Sequence, residues 1–129
     1  MNVTWSSRPS ISSDASWIAE LRAVVLRPDL ERLGRFDPVR VRQRFLHAFE
    51  PRLSRVIVAE GVDIGTIAVR PAADAAWIEH FYLAPEWQGR GLGGAVLADV
   101  LAEARDAASP VTHRLNVLQG SAARRLYER

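Results

Sequence analysis

The sequence predicts an α+β fold: a mixed, mostly antiparallel central sheet with flanking helices. Three observations predict it. Two segments near the N-terminus carry apolar residues at helical spacing, whereas the apolar runs between residues 56 and 83 are short and rich in β-branched residues. Glu60-Gly61-Val62-Asp63 separates the first two of those runs as a hairpin turn does. A glycine-rich loop, Gln88-Gly89-Arg90-Gly91-Leu92-Gly93-Gly94, then leads from a hydrophobic strand into a long amphipathic helix. The resulting order is β-α-α-β-β-β-α-β-α.

Residues 3–11 read as a first strand, with Pro9 placing it at a sheet edge. Asp14 stands where a helix cap belongs, and Trp17, Ile18, Leu21, Val24 and Val25 follow at helical spacing until Pro28 ends the pattern. Residues 28–36 read as a polar, irregular link. Asp37-Pro38 starts a second helix with proline at its first position; Val41, Phe45, Leu46 and Phe49 form its apolar face, which ends before Pro51. Residues 56–59 and 64–69 are the hairpin strands, and residues 76–83 the next strand. Leu92, Val96, Leu97, Val100 and Leu101 form a helical stripe that ends near Ser109-Pro110. Residues 111–118 read as a strand, after which Ser121 caps a helix containing Ala122, Ala123, Leu126 and Tyr127.

Composition bounds the function. A chain of 129 residues suits one domain that buries a core without staples. With no cysteine, a disulfide frame, a thiol nucleophile and a zinc–thiolate site are all excluded. The N-terminus lacks a signal-peptide layout and no apolar run reaches membrane-helix length, so a cytoplasmic protein is expected. The pI of 9.9 exaggerates the basic character: the formal charge is +2, and all 17 basic residues are arginines interleaved with acids. Without a basic run or aromatic interleaving, no nucleic-acid partner is expected.

The glycine loop is where chemistry is expected. Glycines let a backbone approach a ligand closely, and a helix that starts there aims unpaired N–H groups and a positive dipole end at the loop. That arrangement is an anion cradle suited to phosphate or pyrophosphate. An ATP loop of the G-x-x-x-x-G-K-[ST] type is excluded, because the chain has no lysine. The spacing Gly89-x-Gly91-x-Gly93-Gly94 also departs from the dinucleotide fingerprint.

Residues Trp77-Ile78-Glu79-His80-Phe81-Tyr82-Leu83-Ala84-Pro85-Glu86-Trp87-Gln88-Gly89-Arg90-Gly91-Leu92-Gly93 resemble motif A of the GNAT superfamily of N-acetyltransferases, a strand, a Pro-Glu turn and Q/R-x-x-G-x-G/A opening a helix. Leu115-Asn116-Val117-Leu118-Gln119-Gly120-Ser121-Ala122-Ala123-Arg124-Arg125-Leu126-Tyr127-Glu128-Arg129 resembles the strand-to-helix motif that follows. The resemblance implies acetyl-CoA as cosubstrate, no metal, and transfer to a small-molecule or protein amine, or else a non-catalytic CoA-binding module of the same fold. It implies that main-chain N–H groups from Gln88 through Gly94 (Gln88, Gly89, Arg90, Gly91, Leu92, Gly93, Gly94) hold the pyrophosphate. Gly91 and Gly93 are then the positions where a side chain would collide with it. Phe81, Tyr82 and Leu83 would pair with the pantetheine arm, the Leu83 N–H serving the thioester carbonyl. Ser121 stands where the family often has an asparagine on the pantetheine. Tyr127 matches the tyrosine that protonates the leaving thiolate.

Glu79 is the expected base for the acceptor amine. It should share a strand face with Phe81 and Leu83, and partial burial should raise its pKa. His80, on the opposite face, is the weaker candidate, and His47 and His113 have no partner pattern. Family members usually continue into two further strands, whereas this chain stops at Arg129. The sheet is therefore expected to lack its C-terminal strand pair and a homodimer to cover the exposed edge; a cut chain, a natural short form and a partner supplying strands are the alternatives.

Overall fold

Why this chain folds as α+β is clearest at its turns. Glu60 and Gly61 both take positive φ, 51° and 77°, the two-residue hairpin geometry that matches strand twist. That turn joins β2 (Ser54–Ala59) to β3 (Val62–Pro71). The computed structural model describes residues 4–71, 75–105 and 112–115. Within them, β1 (Trp5–Pro9), β2, β3, β4 (Ala75–Leu83) and β5 (Thr112–Leu115) form one sheet in the order β1-β2-β3-β4-β5. The first four strands are antiparallel and β5 runs parallel to β4, so the sheet is mixed as expected. Pro9 does lie on an edge strand.

Three helices flank the sheet: α1 (Ala15–Arg32), α2 (Pro38–Ala48) and α3 (Leu92–Arg105). Ile18, Ala19 and Phe45 from α1 and α2 bury against Tyr82 on one face. Leu92 and Val96 from α3 bury against Ile57, Ile64, Ile67, Ile78 and Leu83 on the other. Asp37 caps α2 as its sequence signal requires, accepting from Val39 N and Arg40 N at 3.0 Å each.

Four local expectations need correction. First, α1 continues through Pro28 to Arg32, so the supposed irregular link is partly helix. Its real end is a glycine stop: Gly34 has φ +69°, Gly34 N donates to Glu31 O and Arg35 N to Leu30 O. Second, Val24 is 55% exposed, because it lies six residues beyond Ile18 and so about 120° round the helix. Leu46 is exposed for the same geometric reason relative to Val41. Third, Asp14 makes no side-chain cap; a short 3-10 turn over Ser12–Asp14 turns its carboxylate toward Arg8, the Ile11 N–H and Trp17 instead. Fourth, Phe49 lies beyond the end of α2. The expected helix from Ser121, with Tyr127, Arg124 and Arg125, lies outside the described residues.

Candidate active site

At the C-terminal end of β4 a proline turn leads into the glycine loop. Pro85–Trp87 is one turn of 3-10 helix, closed by Trp87 N to Ala84 O (2.9 Å) and Gln88 N to Pro85 O (3.1 Å). The Gln88 N–H is thus already used, and the expectation that it belongs to an anion cradle needs correction. Its side chain instead holds the strand: Nε2 donates to Leu83 O at 2.9 Å and pins the end of β4. Gly89 and Gly91 have φ +76° and +79°, a left-handed backbone that explains glycine at both positions. Among the described residues, no atom stands within 4 Å of a Cβ built at either glycine, so within them the loop surface is open. Arg90 stacks on the Trp87 ring at 4.9 Å.

The loop ends where α3 begins. Ala95 N donates to Gly91 O (3.1 Å), the first bond of the helix, so the N–H groups of Leu92, Gly93 and Gly94 are those a helix leaves without an internal acceptor. Leu92 has its side chain in the core and offers only its main chain outward. Among the described residues, the N–H groups of Gly89, Arg90 and Gly91 also have no backbone acceptor. Converging N–H groups, the positive end of the α3 dipole and an open glycine surface together fit an anionic diphosphate. On β4, Ala84 N donates to Ile64 O of β3 at 2.8 Å. By the alternation of a strand, the neighbouring Leu83 N–H points away from β3, to the side where β5 lies.

The middle of β4 departs from simple alternation. Thr66 pairs with Tyr82 but Ala68 pairs with Glu79, so two steps along β3 face three along β4. This is a β-bulge, and His80 within it has φ +48°. The bulge overturns the expected parity. Ile78, Phe81 and Leu83 pack on the α3 face, while Glu79 and His80 both line a cavity with Phe45 and Phe49, and Tyr82 packs with Phe45. Glu79 does not share a face with Phe81 and Leu83, and His80 does not oppose Glu79.

Around that cavity the polar groups are tightly partnered. The Glu79 carboxylate, with its side chain 20% exposed, is bound through both oxygens by Arg70, Nη2 to Oε1 at 2.9 Å and Nε to Oε1 and Oε2 at 3.2 and 3.3 Å. His80 Nδ1 lies 3.2 Å from the Tyr82 hydroxyl, and its ring meets Phe45 edge-on at 5.2 Å. Burial, then the nearby Arg22 cation, hold His80 below the ordinary histidine range, only partly opposed by Glu79. Burial likewise pushes the Tyr82 hydroxyl up to about 12, against the pull of Arg22. Arg22 donates from Nη1 to Val41 O at 2.9 Å, while its buried Nε has no hydrogen-bond partner among the described residues. The sequence reading missed Arg22, although a charge four residues beyond Ile18, inside the apolar stripe of α1, was a usable signal.

The structure brings Phe81, Tyr82, Leu83, Gln88, Gly89, Arg90, Gly91, Leu92, Gly93 and Gly94 together at one end of β4, with Glu79 at the bulge. Ser121 and Tyr127 lie outside the described residues. Among the described residues, no helix is long and apolar enough to cross a membrane, and no group of three or more His, Asp or Glu residues is placed to hold a metal ion.

Comparison with known proteins gives a concordant result. The model of the acetyltransferase (GNAT) domain family matches residues 52–129. An aminoglycoside N(6')-acetyltransferase type 1 of Stenotrophomonas maltophilia is 32% identical over 109 residues, which cover 78% of this chain and 67% of that protein. Among solved structures, the PaiA N-acetyltransferase of Thermoplasma acidophilum in complex with coenzyme A superposes with a TM-score of 0.73 at 14% identity, over 97% of this chain and 86% of that one. The ribosomal-protein-S18-alanine N-acetyltransferase of Escherichia coli superposes with a TM-score of 0.68 at 18% identity, over 97% and 75%. At these identities the superpositions speak for the fold.

Proposed function

The chain belongs to the GNAT acetyltransferase family, and from that premise we propose that it transfers the acetyl group of acetyl-CoA to a primary amine by direct attack in a ternary complex. The observation that carries this reading is the junction of β4 and α3. There the open, left-handed glycines and the first N–H groups of α3 converge beside the strand end whose Leu83 N–H points toward β5. Bound acetyl-CoA supplies an activated thioester. The chain's own contributions are then to hold the diphosphate on Gly89 through Gly94, to align the pantetheine along Phe81, Tyr82 and Leu83, and to place a donor at the thioester oxygen. Without cysteine, a thioester intermediate on the enzyme has no nucleophile, which favours direct attack. Tyr127 is the proposed acid for the departing thiolate, and Ser121 a pantetheine contact.

The acceptor is proposed to be a cationic amine. Glu50 and Glu79 stand at a cavity walled by Phe45 and Phe49; Arg52 and Arg70 pair with them, and the lone pairs left on the two carboxylates are acceptors for an ammonium group. An amine-bearing sugar of the aminoglycoside type, which the name of the Stenotrophomonas relative specifies for that protein, is one such acceptor. Glu79 is bound by Arg70, so we assign it the attraction of the ammonium rather than the removal of its proton. A cytoplasmic homodimer completes the proposal, and light scattering across a wide concentration range tests its oligomeric part.

Titration calorimetry with acetyl-CoA, followed by thiol release across a panel of amines, tests the reading. Tyr127→Phe is expected to lower turnover by about 10²- to 10⁴-fold with CoA affinity unchanged. Gly93→Val is expected to abolish CoA binding. It is a cleaner test than Gly91→Val, because any side chain at φ +79° strains the backbone whether or not ligand is present. CoA binding without amine-dependent thiol release would identify a CoA-binding module instead.

A further inference from the structure

We propose that His80, seated in the β4 bulge, is the base that takes the proton from the acceptor ammonium, and that its Nε2 is the accepting atom. The assignment rests on the acetyl-transfer reading above and deepens it. Three features of the geometry carry it. The bulge swings the imidazole onto the face of Glu79, where it lines the same cavity as Phe45, Phe49, Thr66 and Arg70. A histidine at φ +48° is an uncommon backbone state, held here by the surrounding packing, and such states concentrate where function needs a side chain aimed off the regular direction. The Tyr82 hydroxyl engages Nδ1, and among the described residues Nε2 has no hydrogen-bond partner, which leaves it as the ring nitrogen free to accept a proton.

The competing carboxylate is less suited. Glu79 has both oxygens bound by Arg70, so protonating it would break a compensated ion pair. The charged groups that face the imidazole are Arg22 from α1, Arg70 from β3, Glu50 from the segment after α2 and Glu79 on its own strand. Burial and Arg22 keep the ring neutral near pH 7, the form that a base must have. The cavity measures about 30 Å³, room for one water beside the ring.

The proton balance is simple. An R–NH₃⁺ acceptor gives one proton to Nε2, directly or across that water, and His80 becomes an imidazolium. The freed nitrogen lone pair forms the amide C–N bond as the thioester C–S bond breaks. The amide nitrogen loses its second proton as the sulfur leaves as the thiol, and the imidazolium returns its proton to solvent. Nδ1–H donating to the Tyr82 oxygen is the tautomer that this step requires.

The test follows kcat/KM against pH with acetyl-CoA and kanamycin, or with the best acceptor from the amine panel, in wild type, His80→Asn and Glu79→Gln. Asparagine tolerates the left-handed backbone, so His80→Asn is the variant chosen to keep the bulge. Wild type is expected to show an acid limb below the ordinary histidine value of about 6.5. His80→Asn should lose that limb and at least tenfold in kcat/KM near neutral pH, with CoA affinity and thermal midpoint unchanged, while Glu79→Gln keeps the limb. Nitrogen-15 NMR of wild type, which needs no variant, should show His80 neutral and protonated on Nδ1 at pH 7. An acid limb that survives in His80→Asn or disappears in Glu79→Gln overturns the assignment, as does the Nε2–H tautomer, and none of these touches the acetyl-transfer reading. CoA binding with no transfer to any amine overturns that reading itself.

Discussion

The Asp14 carboxylate accepts from Arg8 Nη2 (2.8 Å) and Nη1 (3.0 Å), from the Ile11 N–H (2.9 Å) and from Trp17 Nε1 (2.8 Å). One side chain so ties β1 to the start of α1, and through Arg8 to Asp63 at the start of β3. Arg8 is the largest influence that holds Asp14 well below the usual carboxylate range, against the opposing effect of burial. A depressed carboxylate stabilises the fold above its unfolded value of about 3.9, and the contribution is lost as pH falls through the range below. Asp14→Asn is therefore expected to cost about 2 kcal/mol at pH 7, less than a fully buried pair because Arg8 stays one-third in solvent. Urea unfolding at pH 7 and pH 3 checks both size and sign: the gap between wild type and variant should narrow at pH 3. An equal gap at both would mean that the ion pair is not its source.

At the scale of elements, the β3–β4 contact sets the shape of the site. Gly65 sits opposite Leu83, and a Cβ there would run into the Tyr82 carbonyl and, at 2.8 Å, into Leu83 Cδ2. Gly65→Ala must push the two strands apart, and is expected to cost about 1–3 kcal/mol in urea unfolding. It should also weaken acceptor turnover, because the bulge at His80 is held by the same pairing. Both the strands and the hairpin were legible, since short β-branched apolar runs and Glu60-Gly61 state them directly. The bulge was not: one extra residue in β4 has no signature in composition, and it moved Glu79 to the face opposite Phe81 and Leu83, beside His80. Pro28 misled for a related reason. It removes one helical bond, yet ion pairs of Arg27 with Glu31 and Arg32 with Asp29 span the turn around it, and the stop signal was Gly34.

For the whole molecule, the glycine loop was legible because glycines before an amphipathic run announce themselves, whereas the cavity beside the β4 bulge depends on contacts between α1, α2 and β4 that no local pattern encodes. Architecture couples the legible half to global stability. Leu83 before the loop and Leu92 after it bury in one cluster with Val96, Ile57, Ile64 and Ile78. A ligand that bridges the end of β4 and the start of α3 therefore binds only the folded chain. At about 100 times its Kd, such a ligand adds about 2.7 kcal/mol. For a domain of this size that corresponds to a rise in Tm on the order of 10 °C. Coenzyme A is expected to produce this shift in a thermal melt, and pantetheine, which lacks the diphosphate, to produce almost none. Gly93→Val should remove the shift, whereas His80→Asn should retain it, because the imidazole packs with Phe45 at the cavity beside α2 and not at the glycine loop. A pantetheine shift equal to that of coenzyme A would place the binding energy away from the glycine loop and overturn the cradle.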